Sequence, residues 1–251
     1  GATQSVALSQ VGSSSAISMN CGSSYSVNVY SYKTTITLAK NKAYNFAFSS
    51  CCRPPNISNI LNPSSQASYI GMVLVTGKAD VRPYNNSVNF QPEVNTIYAG
   101  STAAFEICSA DPDNDSLGFA IVPPKGGTGS SLTSTNLTYA TGYSNASPLG
   151  SGGSVSIDTT NRMLVVNSST QQNAVVNVRI VEYAKDTTGT YKIMSVIFKE
   201  MIINVVANPS NTPPNPIEFS GAAGSYASDT LMISTTDPIF PYQANFDSAQ
   251  L

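Results

Sequence analysis

Asp111, Asp113 and Asp115 stand at i, i+2 and i+4 in the run Asp111-Pro112-Asp113-Asn114-Asp115-Ser116-Leu117, in a chain of 251 residues with only 14 acidic side chains. Three carboxylates at that spacing on one short loop can converge on a hard cation. Calcium takes six to eight oxygens, and these three with Asn114 and backbone carbonyls supply most of such a shell. The bland alternative is a solvated turn whose aspartates accept nearby backbone N–H groups. Calcium is the one cofactor the residues suggest; the other reading is no cofactor at all.

Other chemistry is hard to build. The chain has no His, so it lacks the usual general base and every Ser-His-Asp or Cys-His arrangement. A glycosidase needs two carboxylates about 5–9.5 Å apart across a groove, and no second acidic group pairs with the loop. The expectation is therefore not an enzyme. Charged residues make up 10% of the chain and the net charge is −2, so nothing favours nucleic acid. No apolar run reaches the ~18 residues of a membrane helix. Gly1-Ala2-Thr3-Gln4 reads as a mature or trimmed end, consistent with secretion.

The cysteines are Cys21, Cys51, Cys52 and Cys108. None lies in a Cys-x-x-Cys motif, and a zinc site would need all four at poor spacing. Disulfides suit a secreted chain. Neighbours Cys51 and Cys52 make a poor pair, so Cys21 is expected to take one and Cys108 the other. Buried free thiols are the alternative.

Those residues must be positioned by strands. Period-two alternation recurs in Tyr25-Val27-Val29, Ile36-Leu38, Tyr44-Phe46-Phe48 and Val176-Val178-Ile180. Tyr191 to Val206 is the longest candidate and reads as a central strand. One short helix is expected over Pro55 to Leu61. Turn clusters at Asn85-Asn86-Ser87, Gly126-Gly127-Thr128-Gly129, Gly150-Ser151-Gly152-Gly153 and Asp186-Thr187-Thr188-Gly189 punctuate the strands. The fold class is all-β, as tandem Ig-like or cadherin-like β-sandwiches with extended terminal segments. Joints at 78–92 and at the proline-rich 208–216 divide the chain into 1–84, 85–207 and a tail, 208–251. The tail includes strand-like Thr230-Leu231-Met232-Ile233 but is too short to close a core.

Cys51-Cys52-Arg53 followed by Asn56-Ile57-Ser58-Asn59-Ile60-Leu61-Asn62-Pro63 resembles the CCRN-x-x-I-x-N-L-x-N-P segment of large secreted surface proteins of Bacteroidota, associated with gliding motility or type IX secretion. Cys21 to Tyr25 and Tyr44 to Phe48 resemble the strands preceding that segment. Tyr98-Ala99-Gly100, Ala110 to Leu117, Val122-Pro123-Pro124 and Val178 to Tyr183 resemble, in order, an Ig-like or cadherin-like module of the same proteins. The match spans residues 20 to 207. Asn114 stands where Gly is usual, and Pro54 and Pro55 depart from the motif. The resemblance implies an extracellular structural or adhesive module. It also implies O-glycosylation at Asp-Ser/Thr motifs, here Ser116, Thr159, Thr187, Thr230 and Ser248.

Several residues carry competing readings. Glu182 and Arg179 fall on opposite faces of one strand, and Glu182 is expected to pair with Arg162, Lys185 or Lys199. Arg53 is expected to donate to carbonyls. Tyr30, Tyr32, Tyr139 and Tyr143 could line a surface-glycan platform, against the simpler reading of tyrosines on half-buried strands. The leading function is a subunit or repeat of a cell-surface filament or adhesin that self-associates by strand addition. The alternative is a carbohydrate- or ligand-binding module.

Overall fold

The computed structural model describes residues 4–18, 26–77, 80–81, 84–90, 94–108, 111–126, 134–208, 219–220 and 243–244. In chain order the strands are β1 (Ser9–Gln10), β2 (Ser15–Ser18), β3 (Ser26–Val29), β4 (Tyr32–Lys33), β5 (Lys42–Ser50), β6 (Ser68–Thr76), β7 (Thr96–Tyr98), β8 (Ser101–Glu106) and β9 (Ser116–Val122). Then follow β10 (Lys125–Gly126), β11 (Thr135–Asn136), β12 (Gly153–Asp158), β13 (Met163–Ser168), β14 (Gln172–Lys185), β15 (Tyr191–Val206), β16 (Phe219–Ser220) and β17 (Gln243–Ala244). Among the described residues there is no α-helix, so the chain is all-β; the only helical turns are short 3₁₀ segments at Pro63–Ser65 and Gly150–Gly152.

The chain divides into two units. One is 1–17 with 26–207, and the other is 18–25 with 208–251. In the second, the two-residue β16–β17 ladder is described; Thr230 to Ile233 lie outside the described residues. The first unit is built on the antiparallel β14–β15 hairpin, closed by the turn at Asp186 to Thr190. The Asp186 carboxylate organises that turn by accepting the N–H groups of Thr188 and Thr190 and the Thr188 hydroxyl. The sheet runs β5-β6-β15-β14-β9, with β7 adding in parallel to the end of β15. β15 is thus central.

A three-stranded sheet, β12-β13-β8, covers part of one face. Alternation decides what meets there. Ala174, Val176, Val178 and Ile180 of β14 and Ile197, Met201, Ile203 and Val205 of β15 project to the same side. They pack against Leu164, Val166, Phe105, Val155 and Ile157 of the smaller sheet. Each such buried aliphatic side chain contributes about 1.5–3 kcal/mol relative to exposure.

The expected joint at 84/85 does not separate two cores. β5 and β6 precede it, yet β6 pairs with β15 through Gly71 to Leu74 and Phe198 to Ser195. Residues 84–90 pack on the sandwich instead: Asn85 and Asn86 bond Glu182 and Asp113, and Val88 is buried in its core. Tandem sandwiches are therefore replaced by one sandwich within this unit. The Ile36-Leu38 alternation forms no strand.

The expected helix at Pro55 to Leu61 is a docked loop. β9 covers only Asn177 to Tyr183 of β14, leaving the first residues of that edge without a strand. The loop fills this gap. Ile57 bridges Asn173 in parallel, and Ser58 N–H donates to Asn173 C=O at 2.7 Å. Asn59 is fully buried; its side chain accepts from Val175 N–H at 2.9 Å and donates to Val175 C=O at 2.8 Å and Pro148 C=O at 2.9 Å. Ile57 and Ile60 pack on Val175. An edge left bare would hold unpaired backbone groups.

Arg53 anchors the other end of the loop. Its buried guanidinium donates to Ala67 C=O and Lys125 C=O, as a carbonyl-binding arginine should, and forks onto Glu200 of β15. Burial raises the Glu200 pKa, and Arg53 opposes that shift.

The disulfide expectation is corrected here. Cys51 is bonded to Cys52, with a cis peptide between them and Cα atoms 3.0 Å apart. Cys108 is a free thiol buried in the sandwich core, whereas Cys51 and Cys52 are exposed at the end of β5. A core thiol cannot reach a surface pair without dismantling the sandwich. Cys21 lies outside the described residues.

If Asn59 satisfies the β14 edge, Asn59→Ala strands the Val175 amide and carbonyl and should cost about 2–3 kcal/mol, a fall in Tm of about 4–12 °C for a unit of this size. Asn59→Asp should not rescue, because its second oxygen faces two carbonyls. Thermal denaturation by circular dichroism checks both; a shift below about 1 °C for the alanine variant would contradict the role.

Candidate metal centre

The acidic loop joins the segment after β8 to β9. Asp111 is buried and makes the loop's internal scaffold. Its Oδ1 accepts the backbone N–H groups of Asp113 at 2.8 Å and Asp115 at 3.0 Å, and its C=O accepts from Asn114. Asn114 holds φ 59°, the left-handed conformation that asparagine tolerates in place of glycine.

The structure redistributes the three aspartates. Asp113 bonds the segment 84–90, accepting Asn86 N–H at 2.6 Å and Asn86 Nδ2–H at 2.8 Å. Asp111 and Asp115 instead meet Glu182, with one carboxylate oxygen from each lying within 4.8 Å of the others. Glu182 takes the place expected of Asp113.

Glu182 does not pair with Arg162, Lys185 or Lys199. It continues the inward series Val178, Ile180, Glu182 at the end of β14 and is fully buried. The β14–β15 register shifts between Glu182 and Tyr183, leaving Met194 as the extra residue on β15. Asn85 Nδ2 donates to Glu182 Oε2 at 3.2 Å. Ser195 stands directly across the strand pair, without reaching hydrogen-bond geometry. Glu182 Oε1 and Asp111 Oδ2 are both buried with no hydrogen-bond partner. Burial first, and then contact with the Asp111 carboxyl, push the Glu182 pKa up to about 8. Burial also pushes the nearby Cys108 thiol up to about 11.

A cavity of about 240 Å³ opens beside the loop, lined by Asp111, Asn114, Asp115, Thr159, Thr160 and Arg162. Arg162, at φ 57°, closes the β12–β13 turn and brings a fixed positive charge to its wall. Sequence reading missed Glu182 by expecting it to pair with a basic side chain. The available signal was parity: an acid that extends a buried apolar face must meet a partner inside.

The remaining candidates do not join this cluster. Ser116, Thr159 and Thr187 are exposed, Thr159 on the cavity rim; Thr230 and Ser248 lie outside the described residues. Tyr30 and Tyr32 are exposed near or on β4, whereas Tyr139 and Tyr143 are half-buried, and burial pushes the Tyr139 hydroxyl up to about 12. No helix among the described residues is long and apolar enough to cross a membrane. No family model, curated protein or solved structure matches the chain.

The raised Glu182 pKa sets a pH dependence. Between its ordinary 4.5 and about 8 the folded state holds a proton that the unfolded chain releases. Stability from this group is therefore complete below 4.5 and is lost as pH rises through 8. Asp186 acts oppositely, its pKa held down to about 2 by the Thr188 hydroxyl, so its contribution fades only in acid. With chelator present, Tm should fall as pH is raised from about 5 to 9, and Glu182→Gln should flatten that fall. An unchanged slope in the variant would show that another group carries it.

Proposed function

We propose that this chain is a structural or adhesive element of an extracellular assembly, joined to further copies of itself by β-strand addition. The observation that carries this reading is a sheet edge with no described strand beyond it, next to an exposed apolar strip. The larger sheet is wider than the sheet that covers it. β5 is its last strand, and no described strand pairs with the outer side of β5. On the core-facing side of this overhang Phe48 pairs with Ile70, and the two are 54% and 52% exposed. Tyr44 and Phe46 continue the row opposite Leu74 and Met72.

A candidate incoming strand is present in the same chain. Every described side chain from residue 4 to 16 is exposed, including Val6, Leu8 and Val11. Among the described residues this segment makes short pairings, β1 with β4 and β2 with β3. A two-stranded ribbon without a buried face is marginal in water. An edge strand offers a ladder of backbone groups, and alternate side chains of an incoming strand fill the strip beside it. Val6 and Leu8 have the spacing that this requires. The low charge and the polar Ser/Thr/Asn surface suit a secreted, cell-surface setting.

The test is assembly of the intact chain. Negative-stain images and sedimentation should show oligomers or filaments growing with concentration. Phe48→Lys combined with Leu8→Lys should weaken association at least tenfold, about 1.4 kcal/mol, while the monomer's Tm stays within about 1–2 °C because both positions are exposed. A wild-type chain that remains monomeric at its highest soluble concentration would overturn the proposal.

A further inference from the structure

The geometry points to a calcium site formed by Asp111, Asp115 and Glu182, with Asp113 excluded from the shell.

Two observations carry it independently. The first is convergence from distant parts of the chain. The loop supplies Asp111 and Asp115, and the bulged end of β14 supplies Glu182. Two oxygens bound to one calcium at 2.3–2.6 Å can be no more than about 4.6–5.2 Å apart. The three carboxylates, within 4.8 Å of one another, satisfy that limit. Magnesium, at 2.0–2.1 Å, demands a near-ideal octahedron and dehydrates reluctantly, which a site fixed by the fold meets less easily than calcium's flexible shell.

The second is that two of the buried carboxylate oxygens have no hydrogen-bond partner among the described residues. Glu182 is 0% exposed and Asp111 5% exposed, and Glu182 Oε1 and Asp111 Oδ2 lack any hydrogen-bond partner. Carboxylate oxygens are acceptors only. Two carboxylates that meet in a buried place need a positive charge between them, either a proton or a metal ion. The remaining oxygens are already committed: Glu182 Oε2 accepts from Asn85, and Asp111 Oδ1 accepts from the loop backbone. These bonds fix the free oxygens in place. The cavity beside Asp115 leaves room for waters to complete a shell of six to eight oxygens. Arg162 on the same wall is the competing cation, and it limits the affinity to that of a weak extracellular site, about 10⁻⁴–10⁻³ M.

Bound calcium would tie the acidic loop, β9 and the end of the long hairpin into one body. Occupancy would then follow the calcium concentration outside a cell. The site lies within one copy of the chain, so its test does not depend on assembly.

The test uses the intact chain in monomeric form, stripped with chelator at neutral pH, and titrated calorimetrically with calcium chloride and with magnesium chloride. One calcium should bind per chain. At a concentration about 100-fold above Kd it should raise Tm by about 5–10 °C, with a smaller effect from magnesium. Glu182→Gln should abolish both the heat and the Tm rise. Asp115→Asn, at a less buried position, should weaken binding at least tenfold and keeps the test valid should the Glu182 variant misfold. Asp113→Asn should leave calcium binding within about twofold. A wild-type protein that neither binds calcium nor gains Tm overturns the site, since the carboxyl pair then holds only a proton. Loss of binding in Asp113→Asn equal to that in Asp115→Asn overturns the assignment of ligands.

Discussion

The β14–β15 hairpin is longer than any strand available to flank it. β14 has 14 residues and β15 has 16, yet β9 pairs with only seven residues of β14 and β6 with only four of β15. Every backbone group beyond those limits must find another partner or face water. Much of the rest of the unit answers that requirement. β7 adds to the far end of β15, and the loop after Cys52 covers the first residues of β14. Asn59 stands in for a strand there, because its amide offers one acceptor and two donors at backbone spacing. Arg53 holds the same loop down through a buried fork onto Glu200. Removing one partner of such a pair costs about 3–5 kcal/mol, because the other charge stays buried.

The same length mismatch creates the candidate metal centre. The smaller sheet covers the middle of the hairpin but not its turn end. There the inward face of β14 continues past Ile180, and the next inward residue is Glu182. The acidic loop folds over it. The Asn85-Asn86 dipeptide binds Glu182 with one side chain and Asp113 with the other residue's backbone and side chain. Two carboxylates are thereby removed from competition in different ways. Asp113 is satisfied at the surface, and Glu182 is pulled inward against Asp111. The overhang at β5 has the same origin, since a sheet wider than its cover leaves its last strands half bare.

Strands were legible wherever alternation was strong. Tyr44-Phe46-Phe48, Val176-Val178-Ile180 and the run from Tyr191 all lie in strands, and β15 is central as its two apolar faces require. Connectivity was not legible. Pro83 and Asn85-Asn86 look like a linker in sequence, but tertiary pairing of β6 with β15 overrides local composition. The helix at Pro55 to Leu61 failed for a related reason: Ile57 and Ile60 are three apart, which fits a helix face, yet both pack on Val175 from an extended loop. The vicinal Cys51–Cys52 bond was rejected from sequence on peptide geometry, and the burial of Cys108 had no signal in one sequence. At the site, Asp111 and Asp115 were legible from spacing, whereas Glu182 needed the sheet to be known, because it lies about 70 residues away in sequence and meets the loop only across the β9–β14 pair.

Hydrogen–deuterium exchange of the intact chain tests the central claim, that one long hairpin is sealed on its β14 edge and that β5 has no strand on its outer side among the described residues. In the monomer, amides of residues 173–176 should be protected as strongly as those of residues 178–181. Alternate amides of β5 should exchange rapidly and become protected only in the assembled state. Rapid exchange at Val175, or a fully protected β5 in the monomer, would contradict the account.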